Sequence, residues 1–155
     1  MKVTDFITQL ADGVISNSPM ETMALAEQLA PILPADTTLC LQGPIGSGKT
    51  CFTAALAHCL GVEEAVTSPS YNLLSIYKAG ERTILHLDAY RLDAQTSEDA
   101  LSLEDLMETP WLLVVEWPEN ISGLLTPNKW CLTFEIAGEN DRLIRLQISG
   151  IPEID

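Results

Sequence analysis

Gly43-Pro44-Ile45-Gly46-Ser47-Gly48-Lys49-Thr50 is the stretch whose reading decides the fold. It meets the pattern G-x-x-x-x-G-K-S/T of a phosphate-binding loop. Thr37-Thr38-Leu39-Cys40-Leu41 reads as a strand running directly into it, and Thr50 to Leu60 reads as a largely apolar helix stopped by Gly61. Strand, glycine-rich loop and helix in that order give the motif its physical sense. Glycines let consecutive backbone N–H groups turn inward around phosphates, and the helix aims its N-terminal dipole at them. Lys49 supplies a compact positive charge and Thr50 a hydroxyl for magnesium. Glycine spacing is GxxGxG rather than the GxGxxG of a dinucleotide-binding turn, so a nicotinamide fold is disfavoured.

Working outward, Ser18-Pro19-Met20-Glu21 is a capping box with proline at the first helical position. Met20, Met23, Ala24, Leu29, Ile32 and Leu33 then recur at helical spacing until Pro34. Downstream, Tyr71 to Tyr77 and Arg82 to Asp88 read as strands joined by a Lys78-Ala79-Gly80-Glu81 turn. Thr96 to Glu108 reads as one or two short helices with Glu98, Asp99, Glu104, Asp105 and Glu108 on a solvated face. Trp111-Leu112-Leu113-Val114-Val115-Glu116 has the continuous apolar character of a buried central strand. Trp130 to Ile136 and Leu143 to Ile148 alternate around Gly138-Glu139-Asn140-Asp141 as a C-terminal hairpin. The expectation is an α/β, three-layer P-loop NTPase fold with a mixed central sheet and that hairpin, residues 1–155 forming a single P-loop ATPase domain.

A magnesium site needs a second group. Asp88 and Glu116 each end an apolar run, where a strand's C-terminal edge faces ligand in an open α/β sheet. Thr50, Asp88 and Glu116 are the metal candidates; Lys49, Asp88 and Glu116 are the catalytic ones. The nucleotide set is Gly43, Pro44, Ile45, Gly46, Ser47, Gly48, Lys49, Thr50 and Cys51, with Trp117 as a wall of the pocket. His86 shares a strand face with Asp88 and reads either as a base or as a packed, hydrogen-bonded core histidine. Arg91 reads as a phosphate or partner contact or as a surface residue. Asn128-Lys129-Trp130-Cys131 opens like a guanine-reading segment but has cysteine where the aspartate must stand, and no DxxG switch occurs, so ATP is favoured over GTP.

Composition bounds the rest. With 22 Asp and Glu against 8 Lys and Arg, the net charge is −14, so the chain is expected not to grip nucleic acid tightly on its own. Cys40, Cys51, Cys59 and Cys131 show no metal-like spacing and read as small buried hydrophobes; zinc at His58-Cys59 is rejected. Neither an apolar run long enough for a membrane nor a secretory signal is read, and a cytoplasmic location is the expectation.

The loop, Ser68-Pro69-Ser70-Tyr71, His86-Leu87-Asp88-Ala89-Tyr90-Arg91-Leu92 and Glu116-Trp117-Pro118 resemble, in order and spacing, the bacterial TsaE (formerly YjeE) family from about Ser18 to Ile148. The resemblance implies an ATPase subunit for threonylcarbamoyladenosine formation beside the tRNA anticodon, working with a TsaB–TsaD complex. It matches Lys49 and Thr50 to the family's Walker A residues, Asp88 to its Walker B-like acid, and Glu116 and Trp117 to its EW pair. Pro44, Ser47 and Cys51 depart from the family's usual Asp, Ala and Thr, Ser70 stands for Thr, and Ala89 for Leu. Two other classes stay open: a small-molecule kinase, and a nucleotide-gated binding module with little hydrolysis.

Overall fold

The computed structural model describes residues 2–69, 73–93, 95 and 102–149. Chain order is α1 (Val3–Asp12), β1 (Val14–Ser16), α2 (Pro19–Leu29), β2 (Thr37–Gln42), α3 (Lys49–Leu60), β3 (Leu74–Ala79), β4 (Arg82–Asp88), α4 (Leu103–Leu106), β5 (Trp111–Glu116), a 3₁₀ segment (Pro118–Leu124), β6 (Lys129–Ile136) and β7 (Arg142–Ser149). All seven strands join one sheet in the order β1-β7-β6-β2-β5-β4-β3. At its centre β6, β2, β5 and β4 run parallel, and β1, β7 and β3 pair antiparallel at the margins. The mixed sheet and the β6–β7 hairpin stand as expected.

Alternation along the strands makes the layers. Leu39 and Leu41 of β2, Ile84 of β4, Leu112 and Val114 of β5, and Trp130, Leu132 and Phe134 of β6 face one side. There they meet Phe6 and Leu10 of α1, Ala26 and Leu29 of α2, and Phe52 and Leu56 of α3. Phe52 meets Phe134 edge-on, with ring centroids 5.6 Å apart. On the other side Leu85, Leu87, Leu113 and Val115 pack with Leu103 of α4 and Ile121 of the 3₁₀ segment. Strand β5 is buried on both faces because both residue sets along it are aliphatic. Each such fully buried Leu contributes about 1.5–3 kcal/mol of burial.

Several boundaries differ from the sequence reading. Helix α1 and strand β1 were not anticipated; α1 buries Phe6 and Leu10 one turn apart against the sheet's β7 side. Helix α2 begins at the anticipated cap, with Ser18 accepting the Glu21 N–H and Glu21 returning to the Asn17 N–H. It ends at Leu29 rather than before Pro34, and its buried face is Thr22, Ala26 and Leu29, while Met20, Met23 and Ala24 face solvent. Thr22 is buried because its hydroxyl is 2.7 Å from that of Ser16, so a polar pair replaces the expected methionine contact.

The β3–β4 turn tightens to Gly80-Glu81, with Gly80 at φ +62°. Tyr71, Ser70, Glu98 and Asp99 lie outside the described residues; of the acidic segment, one short helix, α4, is described. The four cysteines are free thiols, but only Cys40 is buried, and Cys59 is exposed on α3. The expectation of uniformly buried thiols fails there because Cys59 sits on the outer side of that helix.

Candidate nucleotide site

The loop leaves the end of β2 between β5 and β6. Its first glycine is required by close packing. A Cβ on Gly43 would lie 2.6 Å from the Phe134 carbonyl oxygen of β6 and 2.8 Å from Ser47 Oγ. Gly48, at φ +103°, turns the chain into α3 in a conformation that a side chain disfavours. The loop's far side is tied down from the hairpin, where the Arg142 guanidinium donates to the Gly46 carbonyl at 3.1 Å.

One cavity of about 430 Å³ opens above this edge of the sheet. Lys49, Thr50, Asp88, Glu116 and Trp117 line it together with Ile45, Gly46, Gly48 and Cys51. Registration explains the meeting of the two acids: Asp88 of β4 stands beside Glu116 of β5, each at the C-terminal end of a parallel strand. Of the sequence-derived set, Gly43, Pro44 and Ser47 do not line this cavity. Gly43 acts through its carbonyl, which accepts from Lys49 Nζ at 2.5 Å. Ser47 is buried and lines a second cavity of about 120 Å³ with Ser18, Pro19, Thr22, Gly46, Gly48, Cys51, Asn140 and Arg142.

Lys49 is held back from the cavity mouth. Its ammonium lies 3.9 Å from the centroid of the Trp117 ring. Burial pushes its pKa down, and the charges of Glu116, Glu119 and Asp88 pull it up. Trp117 itself sits at φ +59°, an unusual conformation for a bulky residue, and its ring packs on Tyr90 with centroids 5.1 Å apart. Asp88 is oriented by the Tyr90 N–H, which donates to Oδ1 at 3.0 Å, and by the Ser68 hydroxyl at 3.4 Å from Oδ2. His86, fully buried, lies with Nε2 2.7 Å from Glu116 Oε2, which is the packed, hydrogen-bonded alternative of the sequence reading.

Arg91 lines a neighbouring cavity of about 200 Å³ with Ser68, Pro69, Leu73, Asp88 and Tyr90, and does not line the main one. Ser68, Tyr90, Asn140 and Arg142 are site-lining residues not singled out for binding from the sequence. The first two lie within the quoted Ser68-Pro69-Ser70-Tyr71 and His86-to-Leu92 motifs, which the sequence reading used for the resemblance without giving these two residues a binding role. Asn140 and Arg142 sit in or beside the hairpin turn, where polar residues have no pattern that separates a binding role from a turn role.

A parallel strand, a glycine-rich loop tied to its neighbours, and two strand-end carboxylates across from a helix N-terminus define the P-loop NTPase class. Within that class, the family model described as "Threonylcarbamoyl adenosine biosynthesis protein TsaE" matches residues 16–145. The chain is 37% identical over 131 residues to the Rickettsia felis tRNA threonylcarbamoyladenosine biosynthesis protein TsaE, covering 84% of this chain and 76% of that protein. It is 32% identical over 133 residues to the Bacillus subtilis protein of the same name, covering 86% and 83%. The crystal structure of Bacillus subtilis YdiB superposes with a TM-score of 0.75 at 27% identity, covering 89% of this chain and 85% of that one. The chain belongs to the TsaE family. Among the described residues no helix is long and apolar enough to cross a membrane.

Proposed function

We propose that the chain binds ATP with magnesium in the 430 Å³ cavity and hydrolyses it slowly, in support of threonylcarbamoyl transfer to tRNA by a TsaB–TsaD complex. The observation that carries this reading is the convergence of Lys49, Thr50, Asp88 and Glu116 on one cavity at the ends of parallel strands. The continuous sheet supports reading residues 1–155 as a single ATPase domain.

The donor set fits magnesium. A threonine hydroxyl and two carboxylates are hard oxygen donors, and Mg²⁺ takes one or two protein carboxylates, phosphate oxygens and water rather than a full protein cage. Thr50, Asp88 and Glu116 would hold the ion, which when bound neutralises phosphate charge.

The protein's own residues do the remaining work. Lys49 exchanges the Gly43 carbonyl for phosphate oxygens, an acceptor of full negative charge that outweighs a neutral one. The N–H groups of Gly46 and Gly48 and the start of α3 bind the same anion. Glu116 Oε1, the oxygen not committed to His86, is the one left either to contact the ion or to orient water against the γ-phosphate. Trp117 walls the cavity and excludes bulk water. The adjoining 120 Å³ cavity, open at Gly46, Gly48 and Cys51, takes the base or ribose, with Asn140, Ser18 and Arg142 as polar partners.

Surface charge accords with division of labour. At −14 the chain repels a polyanion, so contact with tRNA falls to the partner proteins and the location is cytoplasmic, where tRNA is modified. Phosphate release from ATP, measured for the chain alone and with the TsaB–TsaD pair, tests the reading. Slow basal turnover that requires magnesium, rises with the pair, and falls at least about a hundredfold in Glu116→Ala is expected. Undiminished turnover in Glu116→Ala removes this residue from the chemistry.

A further inference from the structure

We propose that His86 is the positioning residue for Glu116, fixing which carboxylate oxygen faces the reacting phosphate; this rests on the hydrolysis reading above. The two side chains project from the same face of adjacent parallel strands, one diagonal step apart. His86 registers with Val114, and Glu116 with Asp88. The diagonal brings Nε2 to 2.7 Å from Oε2, with the histidine fully buried and the glutamate side chain 6% exposed.

The ring's tautomer follows from its surroundings. A carboxylate oxygen accepts, so Nε2 carries the hydrogen and donates it. Nδ1 is buried and has no hydrogen-bond partner among the described residues, so the ring's polar contact is the one through Nε2. With one donor and one fixed direction, His86 commits Oε2 and removes a rotational freedom that a glutamate at a strand end otherwise keeps. Oε1 is the oxygen left over, on a residue that lines the cavity. This is the arrangement in which a buried imidazole orients a working carboxylate. The pair therefore acts on the turnover step rather than on nucleotide capture, which Lys49 and the loop backbone perform. Asp88, by contrast, is oriented by the Tyr90 N–H and Ser68, so the two acids are positioned independently.

Three variants separate this role from mere packing. Gln places an amide N–H close to where Nε2–H lies, Asn stops short of it, and Leu fills volume without a donor. We expect His86→Gln to keep kcat within about fivefold of wild type. His86→Asn and His86→Leu should lose about 20-fold or more in kcat, with KM and ATP affinity by calorimetry changed less than about threefold. In a Glu116→Ala background, His86→Asn should cost no further turnover. Independently of nucleotide, ¹⁵N NMR of the wild-type chain should show His86 carrying a hydrogen at Nε2, and Glu116→Ala should shift the Nε2 signal.

Full kcat in a folded His86→Asn overturns the proposal, as does a multiplicative loss in the double variant. So does a ring bare at Nε2, which decides the matter even if the Asn variant fails to fold. Wild-type turnover in Glu116→Ala alone refutes the hydrolysis reading instead, and the NMR result then shows whether the pairing itself fails.

Discussion

Replacing Gly43 by alanine probes whether the loop's shape is set by close packing on β6. The added Cβ meets a backbone carbonyl, Phe134 O, at 2.6 Å, Ser47 Oγ at 2.8 Å and the Phe134 Cβ at 2.9 Å. Phe134 O and Cβ are fixed by the backbone of β6, and only Ser47 Oγ can turn aside, by rotation about one bond. Relief therefore requires β2 and β6 to part at the Gln42–Thr133 end of their parallel ladder. Overpacking a rigid site costs about 1–3 kcal/mol, and three short contacts place this one near 3. For a chain of this size that is a fall of roughly 6–12 °C in Tm. Because Gly43 O also holds Lys49, the same change should weaken ATP binding. Thermal unfolding by circular dichroism, with and without ATP and magnesium, measures both effects. Gly123→Ala is the control: among the described residues nothing lies within 4 Å of its added Cβ, and a change within about 0.5 kcal/mol is expected. If Gly43→Ala melts with wild type, β6 does not dictate the loop's shape.

Lys49→Ala should abolish ATP binding measurable by calorimetry, since among the described residues no second Lys or Arg lines the main cavity; retained wild-type affinity would place the phosphates elsewhere. Ser18→Ala removes an N-cap whose oxygen accepts the Glu21 N–H at 3.1 Å, and should cost about 1 kcal/mol in chemical denaturation. The Cys131 thiol is pulled down to about 7 by its hydrogen bond with Cys40 and by the Lys129 ammonium, against the opposing effect of burial. Its thiolate, and hence its alkylation by iodoacetamide, should rise through pH 7, ahead of a cysteine in a short unstructured peptide, which ionises at about pH 8.5. Mass spectrometry reads alkylation at Cys131 against that reference peptide, and identical profiles for the two refute the effect.

What the sequence shows depends on how local the cause is. The loop, β5 and the C-terminal hairpin are legible because glycine spacing, a continuous apolar run and strict alternation each act within a few residues. Helix α2's start is legible for the same reason, through its capping box. Its buried face is not, because Met20 and Met23 mimic a core stripe while the Ser16–Thr22 hydroxyl pair fills the interior. Asp88 and Glu116 are readable as strand-end acids one at a time. Their adjacency is a fact of β4–β5 register, and the His86–Glu116 contact spans 30 positions. Arg142 reaches Gly46 across 96 positions, and no pattern along the chain marks that contact.

The central claim is that nucleotide chemistry at this cavity supports tRNA modification by the partner proteins. Reconstitution of threonylcarbamoyladenosine formation with the TsaB–TsaD pair, ATP and magnesium tests it directly, with this chain present, absent or carrying Lys49→Ala. The account predicts sustained product formation with the wild-type chain and a fall to the chain-free level with Lys49→Ala. Equal modification by the Lys49→Ala chain would contradict it.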